Sequence, residues 1–334
     1  MQTCPVGVRQ RTLAALSLMC AAASMAILLA VPAAGQSFPS RPITIVVGYA
    51  AGGQADVLAR RVGQRLNEML KTPVVVENRP GGNTLIASQA VAKAAPDGHT
   101  LLLVTDGMTT IDPQVQGGSG FDPAQAFELV VNMTAAPLFL AAKKDLPADT
   151  LPALIEFGKK HPTELTFGTS GPTTPHRIAG EMLKQRGGFA MMHVAYKGTA
   201  ASVNDLAGGH IPLVIGGSAA LVPLVESGKI KLLAVTSEKR FPLLPDVPAI
   251  SETLPGFNLV SYLGLAVTKG TPPDVVAKLN EAVNAALSAP DVRDYLQKQG
   301  MVPTGGSAAD FKAQIAADYQ ARGRIIRDLN IAAE

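Results

Sequence analysis

Two loops carry residue types able to hold a small anion. In the first, at 43–60 (ITIVVGYAAGGQADVLAR), an apolar run ends at Tyr49, passes Gly52 and Gly53, and becomes a helical pattern opening with Gln54 and Ala55. Glycines let a backbone approach a ligand closely, and the first amides of a helix have no partner inside it. An anion is the natural guest of such a turn. The second loop, at 165–177 (LTFGTSGPTTPHR), offers the hydroxyls of Thr169, Ser170, Thr173 and Thr174 beside the backbone of Gly168 and Gly171, with His176 just inside the next helix. Paired across a cleft, the two loops would hold both ends of a dicarboxylate. Each also has a plainer reading: an ordinary strand-to-helix turn, and an N-cap at Thr174 followed by Pro175 in the first helical position.

Two further strand ends belong with these. Tyr196, Lys197 and Gly198 close one apolar run, and Gly216, Gly217 and Ser218 close the next. Ends of parallel strands face the crevice of an open α/β sheet. Lys197 could pair with a carboxylate or be a solvated surface lysine; Tyr49 could wall the cleft or belong to the core.

Covalent chemistry has little to stand on. No Gly-Lys-Ser/Thr follows the first glycine pair, and there is no G-x-G-x-x-G. Glycine follows Ser170 directly, which breaks the pattern of a hydrolase nucleophile elbow. His99, His161, His176, His193 and His210 are scattered, without H-E-x-x-H or a carboxylate cluster, so no metal site is expected. His176 has no acid at catalytic spacing. No cofactor is expected.

Composition bounds the rest. A chain of 334 residues that is 47% hydrophobic and 16% charged is globular and long enough for about two domains. Arg9 and Arg11 precede a charge-free run at 13–34 that ends in Ala33, Ala34 and Gly35, the layout of a secretory leader over 1–35. The apolar run is long enough to keep an uncleaved anchor as an alternative. Both cysteines, Cys4 and Cys20, lie in that leader, so the exported chain has no thiol chemistry and no disulfide. The leader carries two of the 29 basic residues and none of the 26 acidic ones, leaving a nearly neutral protein with no pull toward nucleic acid.

Beyond the leader, β-branched runs alternate with helical periodicity, the pattern of a mostly parallel sheet covered by helices. Strands are predicted at 43–48, 74–77, 100–105, 128–132, 138–142, 165–168, 193–196, 213–215, 231–236 and 259–267. Helices fit 57–69, 85–94, 151–160, 176–185, 203–207, 219–226, 273–287, 292–299 and 308–328. One βα set ends near 132, a second near 236, and the remaining three helices with one strand are too little for a core of their own. They must return to the first set. The expected organisation is a first lobe built from 36–136 and 258–334 and a second from 137–257, with crossovers near Ala136 and Pro137 and at 258–262.

At this point the chain resembles a known family, the Bug-type extracytoplasmic solute receptors of tripartite tricarboxylate transporters. The resemblance runs through FPSRPITIVVGYAAGGQADVLAR, PVVVENRPGG, AVAKAAPDGHTLLL, FDPAQAFELV, LTFGTSG, HVAYKGTAASVNDLAGGH, SGKIKLLAVTSEKRFPLLPDVPAISE and GLAVTKGTPPDVVAKLN, in this order. It implies a type II periplasmic-binding-protein fold, two α/β lobes joined by two crossover segments around a ligand cleft. It also implies a periplasmic, monomeric, non-enzymatic protein that closes on a small carboxylate and delivers it to inner-membrane permease subunits. By position, the implied contacts are Tyr49, Gly52, Gly53, Gln54, Ala55, Thr105 and Asp106 in the first lobe. In the second they are Thr169, Ser170, Thr174, His176, Tyr196 and Gly198, with Gly217 at the next strand end. Asp56 is expected to brace its loop, since an inward-facing carboxylate would repel the ligand.

Three departures bear on specificity. Gln54 and Ala55 stand where relatives commonly have Ser-Thr, Thr173 follows Pro172 where a glycine is frequent, and Gly216 and Gly217 replace a frequent acid and Asn. Loss of that acid disfavours a ligand ammonium group and leaves more room. Two other roles stay open: a ligand sensor docking on a sensor kinase, and an α/β enzyme acting on carboxylates.

Overall fold

In the computed structural model, which describes residues 38–115, 121–196 and 198–328, the β-branched runs are strands. They are β1 (Ile43–Val47), β2 (Val74–Asn78), β3 (Thr100–Thr105), β4 (Phe127–Lys143), β5 (Thr166–Thr169), β6 (Met192–Ala195), β7 (Leu213–Gly217), β8 (Ile230–Val235), β9 (Val260–Thr268) and β10 (Val302–Pro303). The predicted leader and Lys197 lie outside the described residues. The chain divides into an N-terminal unit, Met1–Ser40, and a unit Arg41–Glu334 that holds every element below.

The strands run in the order β2-β1-β3-β9-β4-β7-β5-β6, with β10 and β8 both on β4. At either end lies a parallel set, β2-β1-β3 and β7-β5-β6, whose members are joined through helices as βα units require. Between them, β9 and β4 are antiparallel to their neighbours. The helices Gln54–Leu70 and Leu85–Ala92 cover the first set; Pro175–Gly187, Thr199–Ala207 and Ser218–Glu226 follow strands of the second.

The structure corrects one strand reading. The two strands predicted at 128–132 and 138–142 are a single strand of 17 residues, β4. Its first part pairs with β9 as far as Pro137, and from Leu138 onward it pairs with β7, with β8 alongside from Phe139. Pro137, which has no amide hydrogen to give a ladder, sits where the strand changes partners, so the ladder loses little there. Two register slips, between Leu129 and Val131 and between Asn132 and Thr134, bend β4 just before that change.

At the same place the chain returns from β8 toward β9, and Thr236 ties the two passages together. Its hydroxyl donates to the Leu259 carbonyl (2.6 Å) and accepts from the Leu138 amide (2.9 Å). Its own amide donates to the Leu138 carbonyl, and its carbonyl accepts from the Leu259 amide.

Separate cores lie against the two ends. Val46, Leu102, Val104, Tyr262 and Phe311 pack together at the first, and Leu140, Phe167, Leu183, Leu213 and Phe257 at the second. The second core also takes in Ile111, from the helical segment after β3, and Ile326, from the final helix, Ala308–Asp328.

Candidate functional site

The first loop is shaped by glycine and braced by an acid. Gly52 has φ +85°, a conformation that L side chains rarely adopt, and Gly53 is the N-cap of the helix Gln54–Leu70. Gln54 is exposed, whereas Ala55 is buried with only its backbone available to a ligand. Asp56 is buried and turns away from the loop mouth. Its two oxygens take the Gly52 amide (2.9 Å), the Arg60 guanidinium (2.9 and 3.1 Å) and the Asn78 amide group (2.9 Å). Burial works against its charge, but these donors outweigh it and hold its pKa below the usual carboxylate value.

Tyr49 stands just before this loop, its hydroxyl 3.3 Å from Thr105 Oγ1 at the end of β3. The residue is 38% exposed, yet its phenol is pushed up to about 12, chiefly by burial, with Asp106 and Asp112 adding to it. Thr105 itself is buried and also accepts from the Met108 amide.

Asp106 directly follows Thr105 and β3. The sequence reading puts it among ligand contacts, but the side chain is 2% exposed and both oxygens are occupied. Oδ1 accepts from the Gly107 amide and the Ser261 hydroxyl, and Oδ2 from Arg322 at 2.7 Å. Its charge is paired with Arg322 and still acts on Tyr49, Asp112 and His176. A π-helical turn, Gly107–Ile111, follows it, a widening of the helix often found beside functional sites.

The second loop uses most of its hydroxyls on itself. Thr169 is fully buried, its Oγ1 donating to the Gly171 carbonyl (2.9 Å) and lying 2.7 Å from His193 Nε2. Ser170 Oγ lies 3.1 Å from His176 Nδ1. Thr174 occupies the N-cap position with Pro175 after it, as the plainer sequence reading has it, but its hydroxyl bonds the Gly171 carbonyl and makes no capping bond. Burial drives the His176 pKa down to about 4 against the pull of Asp106, so the ring is neutral and can accept or donate at Nδ1.

Tyr196 is tied to this loop by its amide, which donates to the Thr169 carbonyl, while its hydroxyl donates to Asp205 at 2.7 Å. That bond, with burial as the larger cause, raises its phenol to about 12 and directs the hydroxyl to the Thr199–Ala207 helix. Gly198, with φ +107°, gives its amide to the Ser170 carbonyl. Gly217 ends β7 against Leu138 and is linked to the other loops only through the sheet.

These strand ends share one property. The caps at Gly53, Thr174, Gly198 and Gly217 provide no side-chain hydrogen bond, leaving the first amides of four helices without a capping acceptor. Amides so placed are donors for a carboxylate. Among the described residues there is no group of His, Cys, Asp and Glu able to hold a metal ion.

Sequence reasoning missed two residues that join the loops. Asn83 Nδ2 donates to Asp112 Oδ1 (2.6 Å) and to Thr173 Oγ1 (2.9 Å), so a residue after β2 touches the loop after β5. Gly-Gly-Asn is legible as a turn with positive φ, but nothing local names its distant partners. A cavity of about 700 Å³ lies elsewhere, walled by Phe121, Phe127, Lys269, Lys312 and Tyr319. None of the residues implied as ligand contacts lines it, although Asp112 does.

A family model described as the tripartite tricarboxylate transporter family receptor matches residues 58–331. The protein BugT of Bordetella pertussis is 30% identical over 307 residues, covering 90% of this chain and 93% of its own. The solved structure of Rpa4515 from R. palustris with adipate superposes with a TM-score of 0.82 at 34% identity, covering 89% of this chain and all of that one. MatC from Rhodopseudomonas palustris with bound malate gives 0.77 at 28% identity, covering 86% and 100%.

Proposed function

Because the chain belongs to the tripartite tricarboxylate transporter receptor family, whose members are periplasmic solute-binding proteins, we propose that it captures a small organic carboxylate between its lobes and delivers it to an inner-membrane permease. A leader over 1–35 would route it to the periplasm. The ligand enters between the loop at Tyr49–Gly53 and the loop at Thr169–Thr174. Lobes of 36–136 with 258–334 and of 137–257 close on it, pivoting where β4 changes partners at Pro137 and Leu138.

One observation carries this reading: the helix starts at Gly53, after β1, and at Thr174, after β5, both lack a capping side chain, and the Asn83–Thr173 hydrogen bond ties the second loop to the strand set that carries the first. Carboxylate oxygens would accept from the amides of Gly53, Gln54 and Ala55 at one end, and from the Ser170 hydroxyl and the second helix start at the other, with the Thr174 hydroxyl joining once it turns from the Gly171 carbonyl. Neutral His176 adds a hydrogen bond without charge. The adipate and malate held by two similar proteins are dicarboxylates of different length, which supports a linear diacid as the first class to try. Micromolar affinity needs about 8 kcal/mol, within reach of several such bonds plus burial.

The test is a thermal-shift screen of the exported protein against mono-, di- and tricarboxylates, amino acids and aromatic acids; with no Trp, intrinsic fluorescence reports poorly. A ligand at 100 times its Kd should add about 2.7 kcal/mol. That raises the midpoint by roughly 5 to 10 °C, and Gly53→Pro and Thr174→Val should each abolish the rise. If no carboxylate moves the midpoint of folded, ligand-free protein, the carboxylate assignment fails.

A further inference from the structure

We infer that Asn83 is an affinity-determining latch, whose side chain holds the loop after β2 against Thr173 of the opposite sheet and thereby stabilises the closed cleft. This rests on the two-lobed receptor reading but not on the identity of the ligand. Both hydrogens of the Asn83 amide group are spent, one on Asp112 Oδ1 and one on Thr173 Oγ1. The Thr173 hydroxyl bonds Asp112 in turn, closing a triangle. Asn83 and Asp112 follow β2 and β3 of the first sheet, whereas Thr173 follows β5 of the second. Separating the lobes therefore breaks both bonds to Thr173 and leaves Asn83–Asp112 intact.

The backbone is bent to present this side chain. Gly81, Gly82, Asn83 and Thr84 all have positive φ, and for a β-branched threonine at +74° that is a strained conformation. Thr84 is held in place because its Cβ lies where a side chain on Gly48 would stand, 2.7 Å from the ideal Cβ position there. Its hydroxyl is buried with no hydrogen-bond partner among the described residues. Strain and an unpaired hydroxyl at one turn are costs that persist where a residue must be displayed in one direction. Asn83 is exposed and buries nothing, so its placement serves the bonds it makes.

The latch differs from a ligand contact in acting without ligand. Fluorophores on Gln64→Cys and Gln185→Cys, exposed positions of the helices Gln54–Leu70 and Pro175–Gly187, report the separation of the lobes by energy transfer once Cys4 and Cys20 are replaced by serine. Asn83→Gly keeps the left-handed backbone and removes the amide group; Thr173→Val removes the hydroxyl, and Thr173→Ser restores it.

The expected result in ligand-free protein is a shift toward longer separations in Asn83→Gly and in Thr173→Val, with Thr173→Ser like the parent. For adipate as probe, or the acid found by the screen, affinity falls about three- to tenfold through faster dissociation. Unchanged ligand-free separations in both variants would overturn the latch, whatever acid the protein binds. Absence of any carboxylate ligand would overturn the functional reading and leave the separation test standing.

Discussion

Asp106 at the end of β3 and Arg322 in the final helix stand 216 positions apart and meet at 2.7 Å, both almost wholly excluded from water. Arg322 also donates to the Val260 carbonyl at the start of β9, and Asp106 accepts from Ser261 beside it. The pair thus joins three elements, the end of β3, the start of β9 and the final helix. Burial works against the Arg322 charge, but Asp106 and Asp318 overcome it and leave its pKa raised. Removing one partner strands a buried charge, so Asp106→Asn or Arg322→Met should each cost about 3 to 5 kcal/mol in urea unfolding. The double variant should cost clearly less than the sum.

Asp112 sets a pH dependence of opposite sign to that of most paired acids. Burial, with some help from Asp106, raises its pKa to about 7 despite the bonds from Thr173 and Asn83. The unfolded chain gives up this proton near pH 4 and the folded chain only near 7, so stability falls across that window as pH rises and is level above it. Asp112→Asn keeps an acceptor for Asn83 and cannot ionise. Its midpoint should exceed the parent's by about 2 to 4 °C at pH 8 and match it at pH 4; equal midpoints at pH 8 would show that the carboxylate is solvated.

His176 acts in the other direction. Its folded pKa, lowered to about 4, lies below its unfolded value near 6.5. Stability from this residue is therefore complete above pH 6.5 and is lost as pH falls toward 4. In ring-proton NMR its resonance should stay in the neutral position through pH 5. His176→Gln should flatten the loss of thermal stability between pH 6.5 and 4.5.

Gly300, before β10, has φ +72°, and a Cβ there would stand 1.6 Å from Ser218 Oγ at the start of another helix. Gly300→Ala should destabilise by about 2 to 4 kcal/mol from backbone strain and overlap together. Adding Ser218→Ala removes the overlap but not the strain, so denaturant midpoints should recover in part. Full recovery would mean the backbone conformation costs nothing.

The parallel strands were legible because Ile, Val and Leu runs ended in glycine before each helix; β1, β3 and β5 follow that grammar. Pro137 misled, since a proline inside an apolar stretch reads as a break, whereas here it marks a change of ladder partner within β4. β10 has two residues and no pattern to find. For the candidate site, the turn at the glycine pair could be read locally because turn chemistry is local. The links Asn83–Thr173 and Asp106–Arg322 could not, as each joins segments far apart in sequence. The bracing role of Asp56 was legible too: its carboxylate takes the Gly52 amide, Arg60 and Asn78.

A strand that serves two sheets has an evolutionary corollary. Were the gene divided at Pro137, each product would lack half of β4 and expose a bare edge where β9, β7 or β8 now pairs. The strand sets on either side of β4 therefore cannot be exchanged between relatives as interchangeable cassettes. Phe127–Lys143 must instead be inherited whole, and change is left to the loops that the strands carry at their ends.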